Sequence, residues 1–496
     1  MTVGQDSSPA TPATAELRGI VRFGSRALLG LAALVVGAVP FLTLLLLVQD
    51  NWSPLTAFDG DVAAGLNAEV AGRPVVVQVL RGLTQGGGTG TAVYVLVLAT
   101  AWLLIRRQRR LAAYVAVTGL GLAVLVPLSK ALVGRDRPDV LLPVVSLPSN
   151  ASFPSGHAMT SLVTWGVVLL LLPAVHRRWR RPLIAATVLY VVAIGFTRLA
   201  LGVHFVTDVA AGWALGAGWL LVTTAAFRGW QHDQGQPTPP FTHGLSGQAA
   251  VAPGPTARQR STRAGLSRRT VVVRLVLAWL VVFTALTALG LLVKHVLDAT
   301  AVGRFDAWTV RALLEQRIGT RTSVVQAVNS LSGSRAVVLL AVAQAVLALA
   351  LTASWRPVLF VAIAILGEVS LYAAVAQVVG RSRPGVPDLT SQLPVGASFP
   401  SGHVAAAAVI YGALAVLVLT YGRSPLRRVV LAVPVLLVPA ISLGRVYVAA
   451  HHPTDVLAGA LLGLAWLIIV TRLVLPAPQP PAPAFTAPAV GASGSR

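Results

Sequence analysis

The heptapeptide ASFPSGH stands at residues 151–157 and again, letter for letter, at residues 397–403. The hexapeptide VGRDRP at 133–138 recurs as VGRSRP at 379–384, with the same offset of 246 residues. Two shorter matches follow at an offset of 247 residues, Phe58-Asp59 with Phe305-Asp306 and Thr207-Asp208-Val209 with Thr454-Asp455-Val456. Self-similarity at a nearly fixed offset indicates an internal repeat. The chain is therefore predicted to consist of two copies of one unit.

The composition excludes an ordinary soluble protein. Of the 496 residues, 55% are hydrophobic and only 11% are charged, whereas soluble domains carry about 25% charged residues. The bilayer is therefore the expected solvent. A formal charge of +23 in so apolar a chain favours cytoplasmic loops at an anionic membrane face over nucleic acid, since no soluble basic helix is visible. The chain contains no cysteine, which excludes disulfides and thiolate nucleophiles.

Twelve apolar stretches approach the roughly 20 residues that a membrane-crossing helix needs. They predict an all-α polytopic membrane protein made of two six-helix transmembrane bundles. The stretches of the first half lie at 27–48, 88–105, 111–128, 158–175, 183–200 and 206–227. Those of the second half lie at 275–293, 336–353, 357–379, 404–420, 429–441 and 456–470.

Composition also divides the chain into five parts. A polar segment at 1–26 precedes the first unit at 27–228, and a flexible basic linker at 229–269 leads to the second unit at 270–475. The Pro/Ala-rich tail at 476–496 is expected to be disordered. In the first unit, arginines cluster on alternate connections, which marks these connections as cytoplasmic. Both termini are then cytoplasmic, and the repeated motifs face outward.

The motif residues of the first unit, which are polar or charged except for one glycine, are predicted to lie on this outward side. They are Lys130, Arg137, Ser155, Gly156, His157, Arg198, His204 and Asp208. Three cations beside two histidines suit an oxyanion with several negative oxygens, and backbone N–H groups at the start of a helix could cradle the same anion. One histidine could attack phosphorus while the other protonates the leaving oxygen, and a carboxylate four residues on could orient its histidine. With so few carboxylates nearby, we expect neither a metal nor another cofactor.

The order of these residues resembles the three-part signature of the type 2 phosphatidic acid phosphatase superfamily, Lys-x6-Arg-Pro, then Pro-Ser-Gly-His, then Arg-x5-His-x3-Asp. The resemblance covers each half of the chain and implies a six-helix fold with a phosphohistidine intermediate. It implies that His204 is the nucleophile, Asp208 its partner and His157 the general acid. The residues that would then hold the phosphoryl oxygens are Lys130, Arg137, Ser155, Gly156 and Arg198.

The second unit keeps most of this pattern. The residues that match the catalytic set are His451, Asp455 and His403, and those that match the phosphate-binding set are Arg383, Ser401, Gly402 and Arg445. Ala376 stands where the motif lysine is expected. Loss of one charged phosphate contact costs about 1–3 kcal/mol. We therefore expect the first site to dominate, and the second to be slow, differently selective or only a phosphate holder.

The expected function is an integral membrane phosphatase that hydrolyses a phosphomonoester or pyrophosphate of a lipid at the extracytoplasmic face. The resemblance suggests polyprenyl pyrophosphate, phosphatidic acid or phosphatidylglycerol phosphate as substrate. One alternative is a phosphotransferase that uses the same site, and another is a transporter or binding protein for anionic lipids without turnover. The motifs do not specify an oligomeric state. Glu368, inside a predicted membrane helix, is a separate candidate, which is either functional, a hydrogen-bonded packing residue or a protonated carboxyl.

Overall fold

A computed structural model of the chain describes residues 34–172, 177–233, 268–385, 398–421 and 427–475. Every regular element in these ranges is a helix. The chain divides into two compact units, Met1–Ala252 and Pro253–Arg496. The predicted segment 1–26, the tail and most of the linker lie outside the described residues, and the exact domain bounds stay a prediction.

In the first unit, eight α-helices run between short connections. A π-helical turn at Leu34–Ala38 leads into α1, and a 3₁₀ turn at Gln85–Gly87 separates α3 from α4. The helices are α1 Val39–Gln49, α2 Ser53–Ala71, α3 Pro74–Thr84, α4 Thr89–Ile105, α5 Arg109–Val133, α6 Gly156–Leu171, α7 Arg177–Ala200 and α8 Val206–Asp233.

The described part of the second unit repeats this order. Its helices are α9 Arg268–His295, α10 Ala301–Leu314, α11 Gly319–Ser330, α12 Ser334–Thr352, α13 Arg356–Val379, α14 Gly402–Tyr421, α15 Arg427–Tyr447 and α16 Pro453–Val474. A 3₁₀ turn at Leu297–Ala299 joins α9 to α10.

Within the described ranges, 9 helices are long and apolar enough to cross a membrane. The number rises to 11 if each of two bent pairs counts as one span. One pair, Val35–Gln49 with Ser53–Ala71, bends by 93°, and the other, Pro74–Gly87 with Thr89–Ile105, bends by 43°. Helix α6 is apolar but has only 16 residues. The all-helical, multi-pass membrane fold is thus confirmed, whereas the number of twelve spans stays a prediction.

Four helices, α2, α3, α10 and α11, lie in segments that the hydropathy pattern leaves as connections. Polar residues such as Asp59 and Asn67 interrupt the apolar run in α2, although both are buried there. A proline at the first turn favours the start of a helix, and both α2 and α3 have one. These helices matter for the site, because α2 contributes Asp59 and α10 contributes the matching Asp306.

The motifs meet because they occupy neighbouring helix ends. In the first unit they lie at the end of α5, the start of α6, the end of α7 and the start of α8. Gly134 directly follows α5 and has a left-handed φ of +66°, and Gly380 follows α13 with a φ of +52°. Glycine adopts this conformation at little cost, so the chain turns sharply into the loop that carries Arg135 and Arg137.

Two glycines on α8 bring it against α6. A Cβ atom on Gly212 would lie 2.5 Å from the Ser155 carbonyl oxygen, and one on Gly216 would lie 3.2 Å from the Met159 carbonyl oxygen. The second unit repeats the arrangement with Gly459, whose Cβ would lie 2.4 Å from the Ser401 carbonyl oxygen. Small residues four apart allow two membrane helices to approach closely. This packing places the start of α6 beside the start of α8.

Candidate active site

His204 and Asp208 form the centre of the first site. Nδ1 of His204 lies 3.2 Å from Oδ2 of Asp208, and that oxygen also accepts a hydrogen bond of 3.0 Å from the backbone N–H of Phe205. Both side chains are buried. The carboxylate favours the tautomer with the proton on Nδ1, which leaves a lone pair on Nε2. That nitrogen lies 3.4 Å from an NH group of Arg137.

The surroundings keep the His204 ring neutral. Burial lowers the pKa of His204 to about 4, and the charges of Arg198 and Arg137 act in the same direction. Asp208 opposes this shift through its hydrogen bond and its charge. A neutral ring with an available Nε2 is the form that can act as a nucleophile.

The three cations of the first site make their hydrogen bonds to neutral groups. Arg137 donates to the carbonyl oxygens of Val203 (2.6 Å) and Asn150 (3.0 Å). Arg198 donates to Oγ1 of Thr84 at 2.9 Å, and Lys130 donates to the Ala151 carbonyl oxygen. Within the described ranges, no carboxylate lies within ion-pairing distance of any of these three side chains. The pocket therefore has an excess of positive charge, which an anion can balance.

His157 and its turn complete the pocket. His157 lies within electrostatic range of Lys130, Arg137, Arg198 and His204, so both imidazoles share one environment. The backbone N–H of Ser155 donates to the Asp208 carbonyl oxygen at 2.9 Å. The Ser155 hydroxyl is buried and has no hydrogen-bond partner among the described residues. An unpaired buried hydroxyl at the first turn of α6 is a ready contact for a phosphate oxygen.

Arg135 is a residue that the sequence reasoning missed. Its guanidinium donates to Asp208 (2.7 Å), to Asp59 (2.9 Å) and to the hydroxyl of Thr207 (2.7 Å). Asp59 in turn accepts from the backbone N–H of Thr207 at 3.1 Å. Arg135 thus fixes the carboxylate that orients His204, without itself belonging to the group of three cations. The repeat was the available signal, because Arg135 recurs as Arg381, and the pairs Phe58-Asp59 and Thr207-Asp208 recur with it.

The second unit has the same supporting network. Arg381 donates to Asp455, to Asp306 at 3.0 Å and to the hydroxyl of Thr454 at 2.7 Å. Burial opposes charge on Arg381, but Asp455 and the hydrogen bonds to Asp298 and Asp306 outweigh it and raise the pKa of the guanidinium. The Ser401 backbone N–H donates to the Asp455 carbonyl oxygen at 2.9 Å, as Ser155 does to Asp208.

The expected contact between His451 and Asp455 is absent. Nδ1 of His451 instead lies 2.7 Å from the carbonyl oxygen of Ser398. Oδ2 of Asp455 accepts from the Ser398 hydroxyl and from the His452 backbone N–H at 2.9 Å. In the first unit the matching hydroxyl, of Ser152, donates to the Asp136 carbonyl oxygen, which leaves Asp208 available to its histidine. The sequence-based pairing of His451 with Asp455 is therefore corrected.

The other predicted residues of the second unit do come together. His403 lies within electrostatic range of Arg445 and Arg383, and Arg383 donates to the Ala450 carbonyl oxygen. Ala376 is buried at the place of the motif lysine. A Cβ atom on Gly402 would lie 2.9 Å from the Tyr372 ring, whereas one on Gly156 would meet Val126 at 3.2 Å and the Lys130 side chain at 3.9 Å. An aromatic ring thus stands beside Gly402 where the first unit has a valine and a lysine.

Glu368 lies in α13 and is buried, with one carboxyl oxygen that has no hydrogen-bond partner in the described part of the chain. Its role stays a prediction.

This fold and this site define an integral membrane protein of the lipid phosphatase class: helices that span a bilayer carry two imidazoles and three cations at one end of a bundle. The sequence model of the PAP2 superfamily matches residues 109–231 and 338–478, together more than half of the chain. The chain belongs to the PAP2 superfamily, which confirms the resemblance seen in the sequence.

Several characterised relatives are similar to parts of the chain. Decaprenylphosphoryl-5-phosphoribose phosphatase of Mycobacterium tuberculosis is 35% identical over 32% of this chain and 85% of its own length. Phosphatidylglycerophosphatase B of Bacillus subtilis is 31% identical over 32% of this chain and 77% of its own length. The match to undecaprenyl-diphosphatase of Sulfolobus acidocaldarius, 35% identical, covers 25% of this chain and 59% of that protein.

One solved structure also matches, that of a transmembrane PAP2-type phosphatidylglycerolphosphate phosphatase from Bacillus subtilis. It is 23% identical, covers 38% of this chain and 93% of its own, and has a TM-score of 0.34.

Proposed function

We propose that the first unit hydrolyses the terminal phosphate of a membrane lipid through a phosphohistidine on His204. One observation carries the proposal. Nδ1 of His204 lies beside Asp208, while Nε2 lies beside Arg137 in a pocket whose three cations have no carboxylate partner among the described residues. An anion that carries an electrophilic phosphorus would balance this charge and place its phosphorus next to the lone pair of Nε2.

The reaction proceeds in two displacements. Nε2 of His204 attacks phosphorus, a P–N bond forms, and the P–O bond to the lipid breaks. Protonated His157 transfers its proton to the departing oxygen, and the phosphate dianion stabilises that protonated form before the transfer. A water molecule then gives a proton to neutral His157 and attacks phosphorus, the P–N bond breaks, and inorganic phosphate leaves. Asp208 stabilises the positive ring of the intermediate, and the three cations stabilise the phosphoryl oxygens.

The substrate is an amphiphile that presents its phosphate at the membrane surface. The pocket lies at the ends of apolar helices, so a lipid tail can remain in the hydrocarbon while its headgroup reaches the cations. The relatives above are named for phosphorylated lipids, and a polyprenyl pyrophosphate, phosphatidic acid or phosphatidylglycerol phosphate would each present the required group. The arginine pattern of the first unit supports an extracytoplasmic position for this end of the helices.

The test measures phosphate release from purified protein in detergent and a metal chelator, with these three lipids as substrates. We expect activity on at least one lipid, and we expect His204→Ala to lower kcat by about a thousandfold or more, because the covalent route is lost. His295→Ala is the matched control, since His295 is exposed at the end of α9. Full activity in His204→Ala would refute the mechanism. Phosphate found on an added alcohol instead of in solution would replace hydrolysis with transfer.

A further inference from the structure

We propose that the second unit binds a lipid phosphate and holds it, turning it over far more slowly than the first unit. The inference rests on the proposed function, because it assigns the second pocket the same class of ligand. It goes beyond that function, because it makes the second site a binding site for the ligand and not a second centre of rapid turnover.

The first argument is the hydrogen bond of the second histidine. Nδ1 of His451 lies 2.7 Å from the Ser398 carbonyl oxygen, a neutral acceptor. The ring can still present Nε2, since a carbonyl also favours the proton on Nδ1. Attack on phosphorus would, however, make the ring positive, and a neutral acceptor stabilises a positive ring less than a carboxylate does. The intermediate on His451 is therefore less stable than the one on His204.

The carboxylate of Asp455, which could stabilise a positive His451 ring, already accepts hydrogen bonds from other groups. Asp455 accepts hydrogen bonds from Arg381, from the Ser398 hydroxyl and from the His452 backbone N–H. The side chain is fully buried. To reach His451 it would have to give up the Ser398 hydroxyl, which would then need another acceptor, such as the backbone carbonyl that the matching Ser152 uses in the first unit. In the observed pairing, the carboxylate of Asp455 does not contact His451.

The third argument is the loss of the motif lysine in the second unit. Ala376 removes a charge that the first unit places beside Gly156, and the ring of Tyr372 stands next to Gly402 instead. Each lost charged contact slows a phosphoryl transfer by about tenfold to a hundredfold when it acts in the transition state. The missing lysine and the missing carboxylate together predict turnover that is slower by on the order of a hundredfold or more.

The features that bind an anion nevertheless remain. The Ser401 hydroxyl is completely buried at the start of α14 and has no hydrogen-bond partner among the described residues. Arg445, which is also buried, and Arg383 both lie within electrostatic range of His403. A helix start, an unpaired hydroxyl and two guanidinium groups are contacts that a phosphate group can use. Because the pocket lies at the ends of membrane-spanning helices, a phosphate carried by a lipid is the ligand that reaches it.

The test counts bound ligand with tritiated dodecylphosphonate, whose C–P bond the protein cannot hydrolyse. We expect His204→Ala to bind about two molecules per chain and His204→Ala/Arg383→Ala to bind about one, because a phosphate-binding guanidinium has been removed from one site. His204→Ala/Arg356→Ala is the matched control and should bind about two, since Arg356 is an exposed residue at the opposite end of α13. Size-exclusion chromatography in detergent verifies that each variant is folded.

Three results would overturn the inference. A single bound molecule in His204→Ala that Arg383→Ala does not affect would exclude the second site. Lipid phosphate turnover in His204→Ala above about a tenth of the wild-type rate, abolished by adding His451→Ala, would make the second unit a catalyst. Equal competition by inorganic phosphate and by unlabelled dodecylphosphonate would exclude a lipid as its ligand. If instead the wild type hydrolyses no lipid phosphate, the proposed function fails, while the count of bound molecules still tests the second site.

Discussion

At the scale of single residues, the two sites differ in which acceptor each histidine uses. Nδ1 of His204 contacts the carboxylate of Asp208, whereas Nδ1 of His451 contacts the carbonyl oxygen of Ser398. The supporting arginines, Arg135 and Arg381, both bind the aspartate and the threonine of their own unit, and Arg381 also pairs with Asp298. A serine hydroxyl differs as well, because Ser152 donates to a backbone carbonyl, whereas Ser398 donates to the carboxylate of Asp455. We expect such small differences to make His204 an effective nucleophile and His451 a much slower one.

The first prediction concerns pH. Burial and the nearby arginines lower the pKa of His204 to about 4, so the ring loses its proton near that value and is neutral at every higher pH. We expect the acid limb of the kcat/KM profile, where protonation of His204 removes the nucleophile, to lie near pH 4. A pH–rate profile checks this. An acid limb near the ordinary histidine value of about 6.5 would contradict it.

The second prediction concerns Arg135. In Arg135→Gln we expect kcat to fall by about tenfold to a hundredfold with little change in KM, because the carboxylate that orients His204 is loosened while the three phosphate-binding cations remain. The altered charge around Asp208 should also move the acid limb of the pH–rate profile, which a purely structural residue would not do. Arg73→Gln is the control, because Arg73 pairs with Glu69 on an exposed surface. A kcat within twofold of wild type would refute this role.

At the scale of helices, the site depends on how closely α8 approaches α6. Gly212 and Gly216 allow the contact in the first unit, and Gly459 allows it in the second. The same two helices carry Ser155 and Asp208, which are joined by a backbone hydrogen bond of 2.9 Å. Spacing between these helices therefore sets the distance between the turn that cradles the phosphate and the histidine that attacks it.

The third prediction follows from this contact. In Gly212→Ala, the new Cβ atom would lie 2.5 Å from the Ser155 carbonyl oxygen, so the helices must separate. We expect a loss of about 1–3 kcal/mol in stability, seen as a thermal midpoint several degrees lower in detergent, together with a lower kcat. Gly90→Ala is the matched control, since nothing lies within 4 Å of a Cβ atom there. Unchanged stability and activity in Gly212→Ala would show that the close approach is unimportant.

At the scale of the whole molecule, a duplicated unit supplies two pockets, each built within its own helices. In the first unit, the loop between α4 and α5 carries arginines, and the loop between α5 and α6 carries the phosphate-binding motif. The 25 residues of α5 span about 37 Å at 1.5 Å per residue, enough to separate these loops by a bilayer. We therefore propose that the loop between α4 and α5 lies on the cytoplasmic side and the site on the outer side.

The fourth prediction tests this orientation. The chain has no cysteine, so single cysteines can be introduced without background. We expect Leu141→Cys, at a position 98% exposed, to react with a membrane-impermeant maleimide in intact cells, because it lies in the loop of the site. Arg107→Cys, in the exposed turn between α4 and α5, should react only after the membrane is made permeable. The opposite pattern would place the site in the cytoplasm.

Local patterns in the sequence predicted much of this protein. The apolar runs indicated a helical membrane protein, the offset between the two ASFPSGH segments indicated the duplication, and the order of Lys130, His157 and His204 indicated a phosphate site. Hydropathy did not reveal α2 or α10, because their buried carboxylates interrupt the apolar pattern. The number of spans also depends on whether bent helix pairs cross the membrane, which composition does not specify.

Residue types, their order and their spacing were thus determined by the sequence alone, because these properties are local along the chain. Only the tertiary structure decided which donor meets which acceptor. Arg135 reaches Asp59 across 76 residues of sequence, and His451 contacts Ser398 instead of the carboxylate four residues away. Several groups compete for each buried carboxylate, and the outcome depends on distances that exist only once the helices have packed.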